Sequence, residues 1–471
     1  MNKSSTATST KITNEPISSS LYACRFGKKK KFNSICLNNT MMKKLCLLPL
    51  LAWCSLYGSD VSYDADIRLR GEYFNNMNEK YYGNAPAAGQ SEDSYLLSRV
   101  RLGITYKVDD SLLLRISGQD SRAFGYELTS DDWYNKEFNQ KNNPQEDYFE
   151  LSETYIKKNF SDIELKIGRQ KMAFGDNRIF GPGEWKNSGK WVWDAAKVTY
   201  KTDEHFISLF YGATMLHDEN HFSLNHRHGY YGYGIYSHLN FGTVNVEPML
   251  FRKENDKENS NYLKLQSNYA GARIYGTANA LFFDTTVVKS FGTRTNKDGT
   301  DVDIDGLGLI AVAGYKFNNM FKAGVEYVRA SGDNPNTKDK NENFDGAFGA
   351  SDKYYGRMNL FQFSNLIDYS AFADIKFSDA FRSKLEYHRF YADRPTNKWL
   401  SYSFGDMKSD HYGDEIDLVS AYDHSKALSF QLGLSYFKSG SYIQEATNYS
   451  NKITDDNAFS VFAQVQYKFK G

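Results

Sequence analysis

From residue 64 to the C-terminus the chain is written in period two. Ile67, Leu69 and Tyr73 alternate with Arg68, Arg70 and Glu72, and Val100, Leu102, Ile104 and Tyr106 alternate with Arg99, Arg101, Thr105 and Lys107. Successive side chains of a strand point to opposite faces, so each run has one apolar and one charged face. Two architectures accept such strands. In a soluble sandwich the charged face meets water outside; in a membrane barrel the apolar face meets lipid and the charged face lines the lumen. Periodicity alone does not choose between them.

The connections do. Strands are expected at 63–74, 95–108, 111–120, 148–158, 162–170, 192–201, 205–213, 229–240, 243–253, 260–269, 271–283, 304–317, 320–331, 363–377, 380–392, 412–424, 427–439 and 457–469. Tight links such as Asp109-Asp110, Asn318-Asn319 and Ser378-Asp379 alternate with long polar ones at 75–94, 121–147, 171–191, 284–303, 332–362, 393–411 and 440–456. This points to an all-β fold, a transmembrane antiparallel β-barrel of about eighteen strands with short periplasmic turns and long extracellular loops. Closure of the sheet removes every unpaired edge. The last strand agrees: Phe459, Val461, Ala463, Val465, Tyr467 and Phe469 alternate with Ser460, Gln464, Gln466 and Lys468.

The only long apolar run, 45–56, is too short to cross roughly 30 Å of hydrocarbon as a helix. With Lys43-Lys44 before it and small residues after it, it reads as a signal peptide over 42–58, leaving 1–41 as an over-extended N-terminus and 59–471 as the barrel. A genuine cytosolic extension would instead make it a signal anchor. Trp53 is too large for the position before a lipidated cysteine, so Cys54 is not read as a lipid anchor. All four cysteines precede the cut, so the mature chain is expected to fold without disulfides. After residue 58 there remain 48 basic and 56 acidic side chains, a balance that disfavours a nucleic-acid partner.

One link stands apart. Residues 168–198 carry Gly175, Gly181, Gly183 and Gly189 around Pro182, with Trp185, Trp191 and Trp193 and six basic residues against three acidic. Such a stretch is a shaped loop rather than a slack one.

Gly168-Arg169-Gln170, Phe174-Gly175-Asp176 with Arg178, Gly181-Pro182, Trp185, Asn187 and Asp194 resemble the core motif of the alginate-export family of outer-membrane proteins. Ser331-Gly332-Asp333, Phe344-Asp345, Phe348-Gly349, Tyr354-Tyr355-Gly356 and Asn359-Leu360-Phe361 look like that family's long loop after its thirteenth strand. The resemblance covers most of 64–471. It implies a monomeric, porin-like, eighteen-stranded barrel of the bacterial outer membrane that passes an anionic polysaccharide or other small solutes, with no cofactor and no catalysis.

Strand parity turns Arg68, Arg70, Arg99, Arg101, Arg115 and Lys166 inward. Arginine suits carboxylates because its planar fork makes paired, charge-assisted bonds. These charges either pass anions selectively or neutralise one another in a wet lumen. In the shaped loop, Arg169, Asp176, Arg178, Trp185 and Asp194 are candidates for a constriction, whereas Trp191 and Trp193, at a strand start, read as an interfacial belt. Other motifs lead elsewhere. Asp301, Asp303, Asp305 and Gly306 mimic the front of a calcium loop, but Val312 stands where its bidentate Glu belongs, so no metal site is assigned. His217, His221, His226 and His228 share one loop and could ligate a transition metal only by residue type. The spacing of Gly183 to Gly189-Lys190 misses a phosphate loop by one residue.

The expected function is therefore passive passage through the outer membrane. Its partners are outer-membrane lipid, anionic oligosaccharides or small solutes, and the barrel-assembly machinery. The alternatives are a membrane-embedded hydrolase or an adhesin on the same barrel; the hydrolase lacks a short nucleophile motif.

Overall fold

A computed structural model describes residues 60–76, 92–125, 134–135, 140–141, 145–189, 191–216, 228–256, 262–395, 398–399, 402–403, 407–449 and 454–471. The expected signal peptide, the upstream segment, Lys190 and His217, His221 and His226 lie outside them.

Eighteen antiparallel strands close into one barrel. They are β1 (Val61–Asn75), β2 (Glu92–Lys107), β3 (Leu112–Phe124), β4 (Asp147–Phe160), β5 (Ile163–Lys171), β6 (Val192–Lys201), β7 (Phe206–Met215), β8 (His228–Phe241) and β9 (Val244–Asn255). The second half comprises β10 (Tyr262–Ala278), β11 (Leu281–Asn296), β12 (Leu307–Lys316), β13 (Phe321–Ala330), β14 (Leu366–Lys376), β15 (Phe381–Tyr391), β16 (His411–Asp423), β17 (Leu428–Ser439) and β18 (Ala458–Lys470). Neighbours in sequence pair, and β18 returns to β1 in a register running from Asp64↔Lys470 to Asn75↔Phe459. No ladder is left open.

Burial follows the alternation. On β17, Leu432, Leu434 and Tyr436 are exposed while Gly433 and Ser435 between them, and Phe437 after them, are buried. The same holds around the ring, so the large apolar side chains face outward, an arrangement stable only against lipid. The core therefore sits inside the barrel, where loops fold in, and not between sheets.

The sequence places a turn near Ala270, but the strand runs on to Ala278 and turns at Asn279, whose φ is 57°. Gly271 serves a close approach there, since a Cβ on it would meet the Val287 carbonyl oxygen at 2.1 Å. As a result β11 extends to Asn296, the long link expected over 284–303 contracts, and Asp301–Ile304 forms a short strand paired with the end of β11.

Candidate pore constriction

Two loops fill the barrel at one end. Loop A is 172–191, between β5 and β6, and loop B is 331–365, between β13 and β14. They meet along their backbones: Phe348 N–H donates to the Ile179 carbonyl (3.1 Å), Gly181 N–H to Phe348 (3.1 Å) and Ala350 N–H to Asn177 (2.8 Å). Gly349 is required at this crossing because a Cβ would lie 1.8 Å from the Arg178 carbonyl oxygen. The side chains interlock as well. Phe180 stacks on Trp193 with centroids 5.2 Å apart and stands edge-on to Phe210 and Phe348. Phe174 stacks on Tyr236 at 4.5 Å. Burial of such rings drives the loops onto the β6–β9 wall.

Charge fixes the two ends of loop A. Near its start, Arg178 Nε donates to Asp176 Oδ2 (2.7 Å) and Nη1 to Glu326 Oε2 on β13 (2.8 Å). Burial works against the charged Asp176, yet Arg178 holds its carboxyl below the ordinary value. Near its end, Glu184 faces Arg101 (2.6 Å), Arg99 (3.3 Å) and Lys171 (2.6 Å). Burial alone would raise the Glu184 carboxyl; Lys171, Arg101 and Arg99 outweigh it and hold it well below the usual carboxylate range. The arginines also grip the backbone, Arg68 Nη1 on Glu184 O (3.0 Å) and Arg70 Nη1 on Trp185 O (2.9 Å). Asn187 completes the anchor, its amide donating to the carbonyls of Ser98, Arg122 and Gln145.

The opposite wall, β13 to β16, is acidic. Loop B meets it with Arg357, whose Nε donates to Glu386 Oε2 (2.8 Å), while Met358 N–H donates to Glu415 Oε1 (2.8 Å). Where the loops approach β1 and β18, a narrow gap is bounded by Trp185, Arg357, Met358, Asn359, Glu72 and Phe462. Arg70 lies over the Trp185 ring at 4.4 Å and Phe462 stands edge-on to it.

The expected site residues thus divide. Arg68, Arg70, Arg99 and Arg101 do point inward, but they clasp loop A rather than line free space. Arg178, Asp176 and Trp185 lie in the narrowing. Arg169 and Asp194 pair with each other across β5 and β6 (2.8 Å), Arg169 buried and also bonded to the Leu151 carbonyl (3.2 Å), with His228 on Asp194 (3.0 Å). Trp191 and Trp193 are not a belt: Trp193 is fully buried against Phe348, and Trp191 Nε1 donates to Gly349 O (2.9 Å). Arg357 was missed, although it follows the Tyr354-Tyr355-Gly356 block directly.

The other half of the lumen, toward the tight turns, holds no loop among the described residues. Arg115 is bonded to Asp64 (2.7 Å). Lys157, Lys166 and Lys197 face one another in register across β4, β5 and β6, with Lys166 over the Tyr155 ring at 3.8 Å. Glu153 and Glu164 approach these lysines without matching their number (4.0 and 3.6 Å).

The family described as Alginate export matches residues 60–455. The chain belongs to it. The barrel is accordingly an outer-membrane channel of the bacterial envelope. Solved structures of similar fold come from Pseudomonas aeruginosa. OccK2 (OpdF) has a TM-score of 0.57 at 12% identity, covering 87% of this chain and 98% of that one. OpdK with vanillate has 0.56 at 11%, covering 87% and 99%. OccK11 (OpdR) has 0.54 at 13%, covering 87% and 96%. Among curated proteins none matches.

Proposed function

We propose that this family member passes small anionic organic solutes, with loops A and B setting the size limit and the lumen cations setting the sign of charge. The observation that carries the reading is the interlocking of loops A and B inside the barrel, which leaves a narrow gap between Trp185 and Arg357 with an aromatic edge and a guanidinium at its border. A lumen narrowed in this way favours small solutes over a hydrated polymer. A carboxylate meets Arg357 through charge-assisted bonds and competes there with Glu386, so it is held and released rather than trapped. Beyond the opening, the in-register lysines Lys157, Lys166 and Lys197 give the turn half a positive surface for an anion to follow. A linear polyuronate would need loop A displaced from the basic wall, which the clasp around Glu184 opposes.

Reversal potential in a KCl gradient across a planar bilayer tests this. The expected result is preference for chloride, with benzoate-sized carboxylates blocking the current reversibly from the turn side. Cation preference with no block by carboxylates overturns the reading. Uronate oligomers should block more weakly than single-ring acids.

A further inference from the structure

The outer face carries a pattern that the lumen does not use. On β15, Phe381, Ser383, Leu385 and Tyr387 point outward in turn, and the next outward residue is Arg389. Strands β9, β11 and β13, which also run from a tight turn toward the loops, repeat the spacing with Arg252, Lys289 and Arg329. Each cation is the ninth residue of its strand. Eight steps of a tilted strand rise roughly 20 Å, comparable with an outer-membrane apolar band of roughly 25 Å. The four cations form an arc where the apolar face ends.

Each sits beside a carboxylate. Arg252 Nε reaches Glu254 (2.6 Å), Arg329 Nε reaches Asp393 (2.6 Å), Arg389 Nε approaches Asp414 (3.6 Å), and Lys289 contacts Asp305. In the three arginine pairs the carboxylate takes Nε. The Nη groups of Arg252 and Arg329 have no partner among the described residues. A guanidinium held by one edge still presents donors to a second anion. Tyr387 donates to Asp414 (2.6 Å) and Tyr233 to Glu254 (3.3 Å), which places aromatic hydroxyls at the same level, as at a lipid–water interface.

We propose that this arc docks the phosphates of the phosphorylated glycolipid of the outer leaflet. Alternating cations and carboxylates fit a layer whose phosphates are bridged by divalent cations: the free guanidinium edges take phosphate oxygens, and the carboxylates add ligands to the bridging ion. The docking requires the loop end to face outward and is independent of what crosses the lumen.

The test uses the folded barrel in neutral detergent with Mg²⁺, to which phosphorylated lipid A, dephosphorylated lipid A or inorganic phosphate is added. Melting temperature and lipid phosphorus retained through gel filtration are read. The expected result is retention of phosphorylated lipid A and a melting point several degrees higher, with neither effect from the dephosphorylated lipid. An Arg252→Gln, Lys289→Gln, Arg329→Gln, Arg389→Gln variant should melt as the parent does in detergent alone and retain several-fold less lipid. If that variant does not fold, Arg389→Gln alone serves, and the three arms on the parent still decide. Equal gain from dephosphorylated lipid A or from inorganic phosphate, or full retention by the variant, overturns the proposal.

Discussion

The two halves of the lumen are built on one continuous wall and differ in what occupies them. Toward the loops, the interior is packed with rings and closed ion pairs: Phe180, Phe348 and Trp193 are buried, as are Arg68, Arg70 and Arg99. Toward the turns, no loop enters among the described residues, and the lumen lysines keep some exposure, from 13% of the side chain at Lys166 to 30% at Lys157. The same residue type therefore does different work in each half. Arginine in the loop half is a fastener that positions a backbone; lysine in the turn half is a solvated charge that a passing ion can feel. Size restriction and charge preference are thereby separable, and mutations should pull them apart.

Deleting 181–189 breaks the contrast most severely. It removes Glu184 and Trp185 from the narrowing, and conductance should rise several-fold while chloride preference persists; single-channel recording is the check. Glu184→Gln should be milder. It leaves Arg99, Arg101 and Lys171 without their shared carboxylate, at a cost of about 1–3 kcal/mol by the usual penalty for an unmatched buried group, and should appear as a lower melting temperature with noisier, larger current steps. Arg357→Gln removes the guanidinium at the opening and leaves Glu386 paired with Lys384 alone. The expected outcome is weaker block by carboxylates with conductance altered less than twofold, read from blocker titrations.

Replacing Lys157, Lys166 and Lys197 together by Gln addresses the turn half. Reversal potential should move toward zero by a modest amount, conductance staying close to that of the parent. The smallest effect concerns pH. The folded Glu184 carboxyl lies below its unfolded value, so its contribution is complete above about pH 5 and is lost as pH falls through the folded pKa. The melting difference between the parent and Glu184→Gln should then stay constant from about pH 8 to about pH 5 and shrink only in strongly acid solution.

Much of the wall was legible because its code is local. Alternation at Ile67 to Tyr73 or Val100 to Tyr106 reports facing whatever the partner strand, and eighteen strands follow from it. The one misplaced turn, near Ala270, falls inside a strand that runs unbroken to Ala278, where Gly271 relieves a cross-strand contact. The interior was less legible. Parity showed that Arg68 and Arg99 point inward, but not that loop A would be waiting there, since that depends on contacts across more than eighty residues. That Arg169 and Asp194 would pair with each other was likewise not readable from the motif, since they sit on neighbouring strands. Arg357 was hidden for a similar reason, since its partner Glu386 lies on a different strand and no local pattern links them.

The central claim is that loops A and B stay docked to each other while the channel conducts. The four native cysteines all precede residue 59, so a barrel starting at residue 60 with Asn177→Cys and Ala350→Cys contains one thiol pair, placed where the two backbones are hydrogen-bonded at 2.8 Å. Single-channel conductance of this variant should be the same oxidised and reduced. A large fall on oxidation, restored by reductant, would show that the loops part for conduction and would contradict the account.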